Sequence, residues 1–199
     1  MQKISWRILP IRGPEDKKYI QDLGQLRIKV FKDFPYLYDG DFKYEEKYLN
    51  TYFSCAESFV ALCEAKEKIV GASTAIPMEF EEENFKKPFL SKGFDPAEIC
   101  YYGESVLLPP FRGLGIGKAF MEAREKFARS IPGIKYVSFC AVSRPADHPL
   151  RPADYRPLDA FWEKIGFRKV DGLTTKYSWK DLDETSETEK PMQFWMKKI

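Results

Sequence analysis

Apolar and polar residues follow two rhythms along the chain, and the changes of rhythm mark its elements. Residues 4–11 (ISWRILPI) read as a first strand, ended by Gly13 and Pro14. From 16 to 31, Ile20, Leu23, Leu26, Arg27, Val30 and Phe31 recur at helical spacing. Residues 42–53 (FKYEEKYLNTYF) carry aromatics at intervals of three to five and predict a second helix. Two strands, 58–65 and 69–77, flank the tight Lys66-Glu67-Lys68 connection, a hairpin pattern. The polar stretch 79–97 predicts an excursion with a short helix, and its Glu81-Glu82-Glu83 and Lys86-Lys87 runs read as a solvated face. Strand pattern returns over 98–108 (EICYYGESVLL). The clearest helix spans 115–130: Ile116, Ala119, Phe120, Ala123 and Phe127 form one stripe, and Pro132-Gly133 closes it. A buried strand (134–142), a proline-rich loop (143–157) and a short helix (158–165) follow. Two late strands, 173–181 and 191–198, are joined by Asp181–Glu187, an acidic loop that reads as solvated and lacks the ligand spacing of a calcium loop.

This order predicts an α/β protein with a mixed, mostly antiparallel sheet and helices on both faces. One crossover runs from 98–108 through the 115–130 helix to 134–142. With no internal repeat or linker, residues 1–199 read as one domain. The loop between the first two helices, Asp33 to Asp41, is too aromatic to be plain linker, so it must pack on or line something.

Composition narrows the function. A net charge of +2 gives no footprint for nucleic acid, although local positive fields can still steer an anionic cofactor. No apolar run approaches a membrane span. The four cysteines, Cys55, Cys63, Cys100 and Cys140, have no metal-ligand spacing, and no secretory leader is visible, so reduced thiols in the cytoplasm are expected. With His148 as the single histidine, no His-rich zinc site is expected, and no metal.

The segment Pro109-Pro110-Phe111-Arg112-Gly113-Leu114-Gly115-Ile116-Gly117 hands a strand over to a helix. A helix start offers free N–H groups and a positive potential, and glycines let the backbone approach a pyrophosphate. Two nucleotide motifs fail on spacing. A P-loop needs a hydroxyl residue after Gly117-Lys118, where Ala119 stands, and a dinucleotide fingerprint needs G-x-G-x-x-G rather than G-x-G-x-G. Arg112–Gly117 is instead similar to the R/Q-x-x-G-x-G/A acetyl-CoA signature of the GNAT (GCN5-related N-acetyltransferase) family. Phe161-Trp162-Glu163-Lys164-Ile165-Gly166-Phe167 resembles that family's F-Y-x-x-x-G-F segment, and the element order agrees along almost the whole chain.

The resemblance implies the GNAT acyl-CoA N-acyltransferase fold and an acetyl-CoA (coenzyme A) cofactor. Arg112, Gly113, Leu114, Gly115, Ile116, Gly117 and Lys118 would then cradle the pyrophosphate, and the backbone near Val106 and Leu108 would bond the pantetheine arm. The thioester would lie in a splay between strands 98–108 and 134–142. Acyl transfer to an amine needs an unprotonated nitrogen, a polarised carbonyl and a leaving thiolate. Glu104, interrupting an apolar strand just ahead of the phosphate loop, is the candidate base; the alternative is an ordinary solvent-facing glutamate. Where the family often has an acidic tyrosine, this chain has Trp162, whose indole cannot protonate a thiolate. Tyr155 is the preferred stand-in among Cys140, Ser138, Ser143 and His148. A Cys140–His148 nucleophilic pair is weighed against it, on a spacing with no specificity. For the acceptor, Tyr36 and Tyr38 are candidate pocket walls. Arg144 and Arg151 are candidate contacts from a lid, unless they pair internally with Asp147 and Asp154. The expected reaction is acetyl or short-acyl transfer to a primary amine, on a small molecule first and a protein second. The alternative is a coenzyme A-binding module without turnover. A homodimer through strand 191–198 is a further expectation.

Overall fold

A computed structural model describes residues 4–12 and 17–199. Its helices are α1 (Ile20–Phe31), α2 (Phe42–Ser54), α3 (Glu83–Ser91), α4 (Ile116–Arg129) and α5 (Asp159–Lys164). Its strands are β1 (Arg7–Arg12), β2 (Phe59–Ala65), β3 (Lys68–Pro77), β4 (Ile99–Tyr101), β5 (Ser105–Leu107), β6 (Tyr136–Val142), β7 (Arg168–Trp179) and β8 (Thr188–Lys198). The strands form one sheet in the order β1-β2-β3-β4-β6-β8-β7, with β5 beside β3. Among these pairs only β4–β6 is parallel, and α4 is the crossover that this pairing requires. The mixed, mostly antiparallel α/β architecture is therefore as the sequence predicts. The expected ending of the first strand at Gly13 and Pro14 lies outside the described residues.

Local chemistry explains most of these elements. The β2–β3 hairpin turns on Lys66 and Glu67, both in the left-handed region (φ 52° and 62°), the geometry that matches strand twist in a two-residue loop. Along β2, Val60 and Leu62 point into the cluster beneath α1 and α2, where Leu23, Leu26, Leu49 and Phe53 are buried. Ala61 and Cys63 point to the opposite face, where Phe120 and Phe127 of α4 lie. That alternation places helices on both faces of the sheet. Each buried Leu or Phe contributes about 1.5–3 kcal/mol of transfer free energy.

The structure corrects four expectations. The 98–108 strand is broken: β4 and β5 are separated by Tyr102-Gly103-Glu104, both pair with β3, and only β4 also pairs with β6. Glu81 is not part of a solvated face but buried, 9% exposed, although Glu82 and Glu83 are exposed. Asp181 is buried in the loop expected to be solvated, because Arg144 and Lys190 reach its carboxylate. Finally, β8 is an interior strand with both edges taken by β6 and β7, so residues 191–198 are not free to pair with a second copy.

Candidate active site

The break in the 98–108 segment is where the site begins. The N–H of Tyr102 donates to the Ser138 C=O (2.7 Å), the last bond joining this segment to β6. Beyond it, β5 pairs with β3 alone, and its edge towards β6 opens. The Leu108 N–H donates to Val70 C=O and the Thr74 N–H to Glu104 C=O. Alternation along a strand therefore turns the amides of Glu104, Val106 and Leu108 towards β3, and those of Ser105 and Leu107 towards the open edge. This corrects the sequence expectation: Val106 and Leu108 have their polar backbone groups in the sheet, and Ser105 and Leu107 face the splay.

Long-range packing sets the break. A Cβ on Gly103 would lie 2.1 Å from Tyr52 Oη and 2.6 Å from Thr74 Oγ1, so only glycine fits. Arg124, buried in α4, donates from Nη1 to the Glu104 C=O (3.2 Å) and sets its guanidinium 4.3 Å from the Tyr102 ring centre. Burial lowers the Arg124 pKa to about 10, which leaves it charged at neutral pH.

Glu104 projects into a cavity of about 110 Å³ between α1, α2, the Glu81–Glu82 segment and the ends of β4, β6, β7 and β8. Its walls are mainly aromatic: seven tyrosines, among them Tyr36, Tyr38, Tyr48 and Tyr52, with Phe31, Phe85 and Trp179. The loop between α1 and α2 forms one wall and is joined to the turn after β7. Asp39 N–H donates to Lys180 C=O (2.9 Å), Leu182 N–H donates to Leu37 C=O (2.8 Å), and the Tyr44 and Tyr177 hydroxyls meet. Arg144 holds the join. It donates to both Asp181 carboxylate oxygens (2.6 and 2.9 Å) and to the carbonyls of Pro35 and Tyr36 (2.8 Å each).

Two helices, α1 through Arg27 and α2 through Tyr48, reach the Glu104 carboxylate. Arg27 Nη1 lies 2.7 Å from its Oε2, and the same guanidinium donates to Glu45 and stacks 4.0 Å from the Tyr48 ring centre. Burial opposes the Arg27 charge, but Glu104, Tyr48 and Glu45 together hold its pKa well above the usual value. Tyr48 Oη is 2.9 Å from Glu104 Oε2 and 3.3 Å from Tyr52 Oη, and Tyr52 Oη is 2.8 Å from Glu81 Oε1. Burial raises the Glu81 carboxyl to about 7, against the opposing bonds from Tyr52 and the Glu82 amide. Glu104 Oε1 is buried and has no hydrogen-bond partner among the described residues.

Next to the open edge, the backbone from Gly113 to Lys118 forms an exposed cradle at the start of α4. Gly113 and Gly115 take left-handed conformations (φ 77° and 85°), and a Cβ at either, or at Gly117, would meet open space. Among the described residues, the N–H groups of Gly113 through Lys118 find no acceptor within the protein. Free donors at a helix start, with space in front of them, fit the diphosphate of coenzyme A.

The sequence profile of the acetyltransferase (GNAT) family matches residues 25–167, a span that runs from the middle of α1 through α2, the break, the cradle and α5. The chain belongs to the GNAT acetyltransferase family. No curated protein matches the sequence. Among solved structures, NAA60 of Arabidopsis thaliana in complex with acetyl-CoA is 16% identical (TM-score 0.61), over 98% of this chain and 99% of its own. Arabidopsis thaliana Naa50, in complex with the bisubstrate analogue CoA-Ac-MVNAL, is 16% identical (TM-score 0.59), covering 98% of this chain and all of its own (100%). The ribosomal-protein-alanine N-acetyltransferase of Brucella melitensis is 14% identical (TM-score 0.60), over 96% and 99%. At these identities the likeness is one of fold.

Within this GNAT acetyltransferase, Glu104, Tyr36 and Tyr38 come together in the cavity, and Gly113–Lys118 lie together in the cradle. The Arg112 side chain turns away from the cradle, donating to Leu107 C=O (3.3 Å) and pairing with Asp33 (3.4 Å). Tyr155 is not brought to Glu104: its ring meets Phe34 edge-on at 4.6 Å, and Arg151 lies 5.0 Å over its centre. Arg151 is thus stacked on the loop's own aromatics. Arg144 binds the wall rather than presenting a free guanidinium to an acceptor, and its partner is Asp181, not Asp147 or Asp154. Trp162 packs between Phe139 and Trp195 in the core beneath α5. Cys140 meets Tyr101 Oη (3.1 Å), and burial pushes its thiol up to about 12, whereas His148 packs on Phe34 and accepts from the Leu150 N–H. The Cys140–His148 pair is absent. Sequence reasoning missed Tyr48, Tyr52 and Glu81 and gave Arg27 and Arg124 no role at the site. Tyr48 and Tyr52 carried a signal, since their i,i+4 spacing on α2 puts both hydroxyls on one face.

Proposed function

We propose that the protein transfers an acetyl group from acetyl-CoA to a primary amine on a small molecule by direct attack, with Glu104 as the base. Bound at the cradle, the cofactor supplies the activated acetyl carbonyl. The main-chain donors of Gly113 to Lys118 hold its diphosphate, and the amides of Ser105 and Leu107 line its path to the splay. The observation that carries this reading is Glu104 Oε1, a buried carboxylate oxygen in the wall of a cavity with no hydrogen-bond partner among the described residues. Its sister oxygen is fixed by Arg27 and Tyr48, which leaves Oε1 to accept an N–H from the amine. Aromatic faces around a carboxylate suit a cationic amine with an apolar body. The wall between Pro35 and Tyr38 is tied to the Lys180–Leu182 turn, and this enclosure favours a compact acceptor over a peptide lying in a groove. The buried free thiols of Cys63, Cys100 and Cys140 suit a reducing compartment, and we place the protein in the cytoplasm.

The test is an acetyl-transfer assay, reading thiol release, with small primary amines set against peptides with free N-termini. Small amines should be acetylated with the higher kcat/KM, and better turnover of peptides would overturn the small-acceptor reading. In Glu104→Gln, kcat should fall about 10²–10⁴-fold, the usual contribution of a positioned base, while the affinity for coenzyme A stays unchanged. Wild-type turnover in that variant removes Glu104 from the mechanism.

A further inference from the structure

We propose that Glu81 and Glu104 share one proton through Tyr52 and Tyr48, so that the amine proton taken by Glu104 is handed along this chain to Glu81. The inference rests on Glu104 being the base, and it adds a destination for the proton.

The chain contains three oxygen–oxygen contacts: Glu81 to Tyr52 (2.8 Å), Tyr52 to Tyr48 (3.3 Å) and Tyr48 to Glu104 (2.9 Å). Two tyrosine hydroxyls bring only two protons, and Tyr48 cannot donate to Tyr52 and Glu104 at once. With both carboxylates ionised, one contact has no proton in it. A single added proton completes all three. Placed on Glu81, it orients every hydroxyl towards Glu104; placed on Glu104, it orients every hydroxyl towards Glu81. Arg27 sits on Glu104, and among the described residues Glu81 has no cationic partner, so the resting proton belongs on Glu81 below neutral pH. The groups facing Glu81 are Tyr48 and Tyr52 from α2, Tyr101 from β4, Cys140 from β6, Glu104 before β5 and its neighbour Glu82. None of them is a cation. Burial raises Glu81 to about 7, so it exchanges its proton near neutral pH.

The step balances. As the amine nitrogen forms its bond to the acetyl carbon, the bond from that carbon to the coenzyme A sulfur breaks, and the sulfur leaves as thiolate and takes its proton from solvent. One N–H bond of the amine breaks, and that proton bonds to Glu104. A half-turn of the carboxyl presents the proton to Tyr48. Glu104 gives it to Tyr48, Tyr48 gives its own to Tyr52, and Tyr52 gives its own to ionised Glu81. Each hydroxyl loses one proton and gains one, and the negative charge returns to Glu104. Glu81 then releases the proton to solvent beside exposed Glu82.

The experiment measures kcat between pH 5.5 and 8.5 at saturating substrates for the wild type, Glu81→Gln, Tyr52→Phe and Tyr48→Phe. It also follows glutamate carboxyl titration by ¹³C NMR in the ligand-free proteins. Wild-type kcat should rise about tenfold per pH unit up to about 7 and then level, because only ionised Glu81 can receive the proton. In Glu81→Gln the amide donates permanently to Tyr52, as the protonated acid does, so the rise should vanish and kcat should stay near the low-pH value. Tyr52→Phe and Tyr48→Phe leave Glu81 in place but cut the chain, and both should lose the rise. A side chain with a merely structural role predicts parallel profiles instead. Acetylation with the rise intact in Glu81→Gln overturns the relay and leaves the proposed function standing. A carboxyl titrating near 7 that disappears in Glu81→Gln and moves in both tyrosine variants, with no amine acetylated, supports the shared proton and overturns the function.

Discussion

A single missing methyl group shapes this site. Gly103 has Tyr52 Oη and Thr74 Oγ1 where a Cβ would stand, so the chain can break between β4 and β5 with Tyr52 lodged against the break. Gly103→Ala must push Tyr52 off its contacts with Glu81 and Tyr48. Overpacking of this kind costs about 1–3 kcal/mol, or several degrees of Tm in a chain of this size. We expect kcat to fall at least tenfold alongside that loss. A Gly103→Ala protein with wild-type Tm and kcat would show that Tyr52 does not need its present seat. Glu81 makes the contrasting point. It lies in a run of three glutamates, and sequence alone does not separate it from its exposed neighbours; its burial comes from Tyr52, twenty-nine residues away in the chain.

Among the elements, α4 and the cradle before it were legible in the sequence, because every cause is local. The glycines, the prolines that end the strand and the amphipathic stripe all lie within residues 109–130. Left-handed backbone at Gly115 costs a residue with a Cβ about 1–2 kcal/mol. Gly115→Ala should therefore weaken coenzyme A binding by roughly tenfold in a calorimetric titration, with kcat changed much less. Unaltered affinity would mean that the cradle does not grip the diphosphate. The 98–108 segment reads as one strand in the sequence for the opposite reason. Its break is imposed by Tyr52 of α2 and Arg124 of α4, and neither is visible in the apolar pattern of EICYYGESVLL. The arginines of the 143–157 loop were ambiguous in the same way: Arg144 finds its partner in Asp181, thirty-seven residues on, and only the folded sheet brings them together.

At the scale of the whole molecule, the site draws on stability. The Glu81 carboxyl rises from its ordinary 4.5 to about 7 on folding, so the folded chain binds the proton more tightly than the unfolded chain. Its contribution to stability is complete below pH 4.5 and is lost as the pH rises through 7, a change of about 3 kcal/mol. Glu81→Gln, which cannot ionise, should gain on the wild type by several degrees of Tm between pH 4.5 and 7.5, and thermal melts across that range measure it. A constant difference would place an ordinary carboxyl at this position. Placing β8 between β6 and β7 makes the last strand a joint of the sheet, which explains why the stretch that looked like a free edge is closed.

Of the four tryptophans, Trp179 alone lines the cavity; Trp162 and Trp195 pack together beneath α5, and Trp6 lies against the core on the α4 side. An amine settling against that indole would alter its emission while the other three stay dark to the event. The molecule thus carries its own optical probe, with which acceptors can be screened by light before any product is formed.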